Sequence, residues 1–249
     1  MTNLKLNLLQ NGLDSLRHAS EHFLEDSESG LKYSILHLSH SIELLLKERL
    51  AKEHDLLIFS KPENSSENAK TVTLDETIKR LSAAGIHLSN DAKLSFEALQ
   101  RTRNKVQHYQ LNLIKKDVEA EIGRNVKYII DFLRDELSIL LEDYLPKEIY
   151  SSLRNAIFTY EELAQLYKNE MLSFNKRYGI KSEPELCPEC GHFSIIYPDP
   201  RYSKNDMVKC FFCKSELEVY KCSKCAVTCF LKENIYHACA CSNIICDID

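Results

Sequence analysis

Apolar residues recur at three- and four-residue spacing through the first 180 positions, the pattern of amphipathic helices rather than strands. Leu4, Leu8, Leu9, Leu13, Leu16, Ala19 and Phe23 predict a first helix over residues 3–25. Leu31, Ile35, Leu38, Ile42, Leu45 and Leu46 predict a second over 29–53, and Leu36 and Leu44 widen its apolar side. A helix apolar over so much of its surface belongs at the centre of a bundle. Residues 60–72, with Pro62, Asn64 and Asn68, read as a loop. Thr73 followed by Glu76 is a capping box that starts a short third helix, and Gly85 ends it.

A fourth helix is expected from Asp91 to about Gln110, with Leu94, Ala98 and Leu99 inward. Residues 114–144 form one long amphipathic stretch, from Val118 through Ile129, Ile130 and Leu133 to Leu141. Pro146 suits the first turn of a last helix that stops before Gly179. The expected fold class is therefore mostly α: a helical bundle over 1–145, a connecting helix over 146–180, and a small β region over 181–249.

Composition changes this picture at one place. Charged residues make up 28% of the chain, hydrophobic residues 44%, and the net charge is -5. These are ordinary values for a globular protein, and no global charge demands nucleic acid. No apolar run is long enough for a membrane span, and the polar, helix-periodic N-terminus is unlike a signal peptide. The ten cysteines, however, all lie between Cys187 and Cys246. Six form three Cys-x-x-Cys pairs, which in a chain with no secretory signal read as metal ligands. A cytoplasmic protein with no membrane partner is expected.

Cys187-x-x-Cys190 and Cys210-x-x-Cys213 have zinc-ribbon spacing, two knuckles that together offer one ion four thiolates. FSIIY and the Pro198-Asp199-Pro200 turn suit a hairpin between them, and ELEVY a third strand. Cys222 and Cys225 start a second set, for which Cys239 and Cys241 are the favoured partners and His237 and Cys246 the substitutes. Two structural zinc ions are expected. From Cys187 onward, seven Lys and Arg stand against eight Asp and Glu. That balance is unlike a general nucleic-acid-binding ribbon and suits a specific RNA feature or a protein.

Outside the tail, one segment stands out: QRTRNKVQHYQLNLIKK, residues 100–116, with five Lys and Arg and no acidic residue. Within it, Arg103-Asn104 is followed by His108. On a helix Asn104 and His108 share a face, and Arg103 reaches the same place. Together they supply a phosphate clamp, an orienting amide and an acid/base. Arg101 and Lys105 are candidate RNA contacts. The spacing alone says little, because Arg17–His22 and Arg49–His54 share it. Arg124-Asn125 and Arg154-Asn155 repeat the Arg-Asn pair with no downstream His. A solvated helix face accounts for any one of these. His37, His40 and Glu43 also share a face and read either as boundary residues or as additions to the same cleft.

FEALQRTRNKVQHYQ, in the second half of a bundle, resembles the signature of the HEPN superfamily, and SILHLSHSIELLLKERL resembles that family's early central helix. The resemblance covers roughly residues 3–145. It implies a homodimer that joins two motifs in one cleft, and metal-independent RNA cleavage of the kind used by toxins and antiphage effectors. His108 would be the acid/base, Arg103 the phosphate contact, and Asn104 the ordering group. Some toxin members carry His-x-Tyr, with the Tyr modified by an antitoxin. Tyr109 directly follows His108 here, which departs from that pattern. The expected partners are RNA, a second copy, and an antitoxin or defence partner. The alternatives are a non-catalytic RNA- or nucleotide-binding scaffold dimer, or a zinc-ribbon regulator of transcription.

Overall fold

The computed structural model describes residues 7–25, 27–66, 68–108, 114–204, 206–221 and 226–231. Six α-helices among them precede a small antiparallel β region. The chain divides into two compact units at 161/162.

In the first unit, α1 (Leu8–Leu24) begins where the Asn7 side chain accepts from Gln10 N–H. Ser27 does the same for α2 (Glu28–Glu53) through Gly30 N–H. Each cap satisfies a helix N–H with no partner inside its helix. The two helices form an antiparallel hairpin, closed where Ser41 Oγ donates to the Gly12 carbonyl at 2.8 Å. As its composition predicts, α2 is central: Ile35, Leu38, Ile42, Leu45, Leu46 and Leu50 are buried, and so is Leu44 on the far side. It packs against α1, α3, α4 and α5.

The loop expected over 60–72 has a pinned base. Phe59 and Thr71 form an isolated bridge, and Arg80 Nη1 donates to the Leu57 and Phe59 carbonyls. Helix α3 (Leu74–Ala83) starts as expected, with Glu76 N–H on Thr73 Oγ1. It ends at Gly85, where Ile86 N–H closes on the Leu81 carbonyl. Helix α4 (Asn90–His108) is capped by Ser89 Oγ, which accepts from Ala92 N–H.

The stretch 114–144 is not one helix. Helix α5 (Lys115–Leu137) stops at Ser138, whose φ of 56° is left-handed. Ile139, Leu141 and Leu145 then turn back into the core, so apolar residues continue after the helix has ended. Pro146 lies just ahead of α6 (Lys147–Tyr178), with Tyr150 N–H on its carbonyl.

Residues 146–180, expected as a connector, contribute to both units. Ile149, Leu153 and Ile157 belong to the first core, and Ala164, Tyr167, Met171 and Phe174 to a cluster in the second. No helix among the described residues is long and apolar enough to cross a membrane.

The second unit adds five short strands. β1 (Glu185–Leu186) pairs with β2 (Phe193–Ile195), and β3 (Met207–Lys209), β4 (Glu216–Lys221) and β5 (Thr228–Leu231) form an antiparallel sheet. The expected hairpin about Pro198–Pro200 is not the pairing found. FSI pairs backward with β1 across the first cysteine pair, so the knuckles themselves are the hairpin turns.

Helix α5 crosses α6 closely at Gly123, where an added Cβ would stand 2.0 Å from the Ala156 carbonyl oxygen. Backbone cannot move aside there as a side-chain tip can. Gly123→Ala is therefore expected to destabilise the first unit by about 3 kcal/mol, read by urea unfolding of the helical signal.

Candidate metal centre and the basic face of the fourth helix

Each knuckle is built the same way. β1 ends at Leu186, Cys187 and Cys190 follow, Gly191 turns with φ of 66°, and β2 starts at Phe193. β3 ends at Lys209, Cys210 and Cys213 follow, Lys214 turns with φ of 60°, and β4 starts at Glu216. The left-handed residue after the second cysteine reverses the chain; glycine takes it without strain, and Lys214 does so at a small cost.

The four sulfurs converge, with their ligand atoms all within 4.8 Å. Cys187 Sγ is 3.8 Å from Cys213 Sγ, and Cys190 Sγ is 3.7 Å from Cys210 Sγ. Thiolates about 2.3 Å from one tetrahedral ion stand about 3.8 Å apart, so this quartet has the size of a four-sulfur metal site. Polar groups surround the sulfurs, and one of them, the Cys213 N–H, donates to a sulfur. Cys213 N–H and Ser194 Oγ approach Cys210 Sγ at 3.3 and 3.0 Å, and Ser215 Oγ lies 3.3 Å from Cys213 Sγ. Hydrogen bonding to Cys187 pulls both Cys210 and Cys213 below the usual thiol pKa and pushes Cys190 above it. The four cysteines can therefore hold one metal ion.

The crossover between the knuckles is held by an ion pair whose acid is buried. Asp199 is fully buried, and Arg201 binds it through its backbone N–H, Nε and Nη2 while also donating to the Lys209 carbonyl. The Arg201 guanidinium lies 4.8 Å from the Phe174 ring centre and 4.7 Å from that of Phe211. One side chain thus ties the crossover to β3 and to α6, with cation–π contact to two rings. Cys222, Cys225, Cys239 and Cys241, the expected second set, lie outside the described residues.

The basic segment forms the last turns of α4. Phe96 and Leu99 face the core, whereas Asn104 and His108 are exposed and Arg103 is half-buried. Arg103 Nη1 donates to Asn104 Oδ1 at 2.9 Å. The structure thus gathers Arg103 and Asn104 and places His108 one turn on, on an accessible face. The two look-alike spacings are committed to structural partners. Arg49 binds Glu53 and, across to α5, Glu136, while His54 Nδ1 accepts from Leu56 N–H. Arg17 pairs with Asp14, and His22 with Glu25. Arg124 and Asn125 are buried, and the Asn125 amide donates to the Glu121 carbonyl. Glu43, which shares a face with His37 and His40, is held 2.6 Å from the buried Lys47.

The sequence reading missed Glu121. The segment contains no acid, but α5 brings Glu121 against it, where Thr102 Oγ1 donates to its carboxylate at 2.8 Å. Burial raises the Glu121 pKa; the Thr102 hydrogen bond and the nearby Arg124, Arg101 and Lys105 pull it back only in part. Arg101 and Lys105, expected as RNA contacts, are half-buried and flank this carboxylate. The available signal was an acidic residue one turn into the following helix.

A scan of protein-family models finds no match to the chain, and searches of curated proteins and of solved structures find none either.

Two outcomes are expected. An acid whose pKa is raised by folding contributes stability that is complete below its unfolded pKa, about 4.3, and is lost as the pH rises through the folded value. Glu121→Gln removes that loss: its unfolding free energy should match wild type near about pH 4 and exceed it at neutrality, by urea titrations at several pH values. Cys210→Ser should lower the bound metal by one ion per chain in elemental analysis. It should also open the second unit to protease while the helical signal of the first persists.

Proposed function

We propose that this protein is a metal-independent endoribonuclease of the HEPN type, acting as a toxin or antiphage-defence effector in the cytoplasm. The observation that carries the reading is the contrast among the three Arg-x4-His spacings. Arg49–His54 is absorbed in structural contacts, Arg17 and His22 are each paired with a neighbouring acid, and the third presents Arg103, Asn104 and His108 at the end of α4 beside Arg101 and Lys105, with Asn104 and His108 exposed. An exposed site on one helix suits a cleft completed by a second copy.

In this mechanism His108 removes the proton from an RNA 2′-hydroxyl, whose oxygen attacks the adjacent phosphorus. The partner subunit's His108 protonates the departing 5′-oxygen, leaving a 2′,3′-cyclic phosphate and a 5′-hydroxyl. Arg103 of each chain stabilises the added charge on phosphorus, and Asn104, on the Arg103 guanidinium, holds it in place. RNA supplies the nucleophile, so the step uses no metal.

The tail serves recognition and holds two structural zinc ions in this reading. The closed tetrathiolate at Cys187, Cys190, Cys210 and Cys213 suits zinc. A second ion at Cys222 and Cys225, completed by Cys239 and Cys241, is supported by the described residues on either side. β4 ends at Lys221, Ala226 turns with φ of 58°, and β5 starts at Thr228, the frame that surrounds the other two pairs. The first pairing across each turn is also alike: Leu186 with Phe193, Lys209 with Glu216, Lys221 with Thr228.

The non-catalytic reading, a scaffold dimer that binds RNA, draws on Glu121, which offsets part of the positive charge on α4. RNA incubated with purified protein in EDTA separates the two. The nuclease reading expects fragments ending in 2′,3′-cyclic phosphate, and a rate about 10²–10⁴ lower in His108→Ala with its circular dichroism unchanged. Full activity in that variant sinks the site assignment, and binding with no cleavage by wild type favours the scaffold.

A further inference from the structure

The α1–α2 hairpin carries a second group of chemistry-bearing side chains that the proposed nuclease does not use. Asp14, His18 and His22 are four residues apart in series on α1 and so form one stripe. Opposite them on α2 stands His37, half-buried, with the exposed His40 one turn further on. The His37 ring centre lies 5.5 Å from that of His22 and 5.9 Å from that of His18. Two imidazoles sharing one tetrahedral ion at about 2.0–2.1 Å per nitrogen have ring centres roughly 5 Å apart. His37 is therefore already close to that separation from both His18 and His22.

The remaining contacts are those of a metal site's outer groups. Glu21 lies 3.0 Å from His18 Nδ1, and Glu25 lies 2.7 Å from His22 Nδ1. A carboxylate on Nδ1 fixes the tautomer and leaves Nε2 with its lone pair. His18 Nε2 points toward Asp14, 3.6 Å from Oδ2, while the other Asp14 oxygen is held by Arg17 at 2.9 Å. Burial, then the neighbouring His22, His18 and His40, holds the His37 pKa below its ordinary value. His37 is thus a neutral lone-pair donor at pH 7.

Beneath the cluster the hairpin is rigid, with Leu16 and Leu38 fully buried and Ser41 bonded to Gly12. Among the described residues only the four cysteines already have their ligand atoms gathered. Closure at the histidines requires ring rotation, because His22 and His37 now stand stacked at an interplanar angle of 14°.

We propose that His18, His22 and His37, with Asp14 as fourth ligand, form a binding site for a divalent cation of the Zn²⁺ and Ni²⁺ class, clamping α1 to α2. Imidazole nitrogens with one carboxylate suit these borderline ions and are poor ligands for Mg²⁺ or Ca²⁺. The site is independent of both the cysteine tail and the α4 motif.

Ni²⁺ is the probe: the full chain, with one zinc ion for each tail site and weakly held metal removed by dialysis, is titrated with Ni²⁺ by calorimetry near about pH 7.5, where free imidazoles are neutral. Wild type should take up one saturable ion per chain and gain thermal stability in proportion to its occupancy. His37→Ala and His18→Ala should each weaken that uptake at least about tenfold, while His54→Ala and His87→Ala leave it unchanged. Helical circular dichroism of each variant verifies folding. Failure of wild type to take up a saturable equivalent, or uptake that survives in His37→Ala or His18→Ala, overturns the proposal.

Discussion

Leu38, Ile42, Leu45 and Leu46 line one stripe of α2, and Leu44 and Lys47, on other sides of the helix, are buried too, so that no residue from Ser41 to Leu50 is fully exposed. Such a segment is stable only when other elements surround it. α1, α3, α4 and α5 do so, and their positions follow from that requirement. Enclosure has a local cost at Lys47, a cation within the packed region. Glu43 one turn before it and Thr71 from the loop base satisfy its ammonium at 2.6 and 3.0 Å. The loop that reaches Thr71 is therefore held at its base by a demand from the central helix. The consequence for function lies at α4. Packing against α2 consumes Phe96, Leu99 and their row, and geometry leaves the opposite row, with Asn104 and His108, outside.

The second unit solves the same problem with less apolar material. Its inner cluster holds Ile195, Val208, Leu217 and Phe230, and the remaining fully packed members are Cys187 and Cys210 themselves. A core this small does not hold short strands together unaided. Convergence of four thiols supplies the missing cross-link once an ion is bound, and without one it is a cluster of groups whose ionisation is mutually opposed. Asp199 and Arg201 do the corresponding work on the outer side, joining the crossover to β3 and to the aromatic rings of α6 and the second knuckle.

Periodicity made the helices legible because burial on one face is what each helix requires. The Thr73 cap made the start of α3 legible; Asn7, Ser27 and Ser89 cap other helices in the same way but were not read as starts. The break at Ser138 was hidden because Ile139, Leu141 and Leu145 keep the apolar spacing while the backbone reverses. The pairing of the short strands was misread because the knuckle was taken as a ligand source only. It is also the turn, and a two- or three-residue strand such as β3 carries no alternation to detect. The four metal-binding cysteines were readable from spacing, since a knuckle's geometry is local. Glu121 was not, because its meeting with Thr102 depends on how α4 and α5 pack.

The histidines show why spacing alone does not assign chemistry. Arg17–His22, Arg49–His54 and Arg103–His108 are the same pattern in sequence, and helical geometry treats them alike. Their surroundings do not. His54 ends a helix and accepts a backbone N–H, so its lone pair is already spent on structure. His22 sits among other imidazoles with a carboxylate on Nδ1, the setting that prepares the opposite nitrogen for a metal. His108 stands on an open face next to a cation-bearing turn. A proton-transfer role and a metal-ligand role make opposite demands, since the first needs exchange with solvent or substrate and the second needs a fixed neutral donor. In the two readings proposed above the roles fall on different elements, the first on the outer row of α4 and the second on the α1–α2 hairpin.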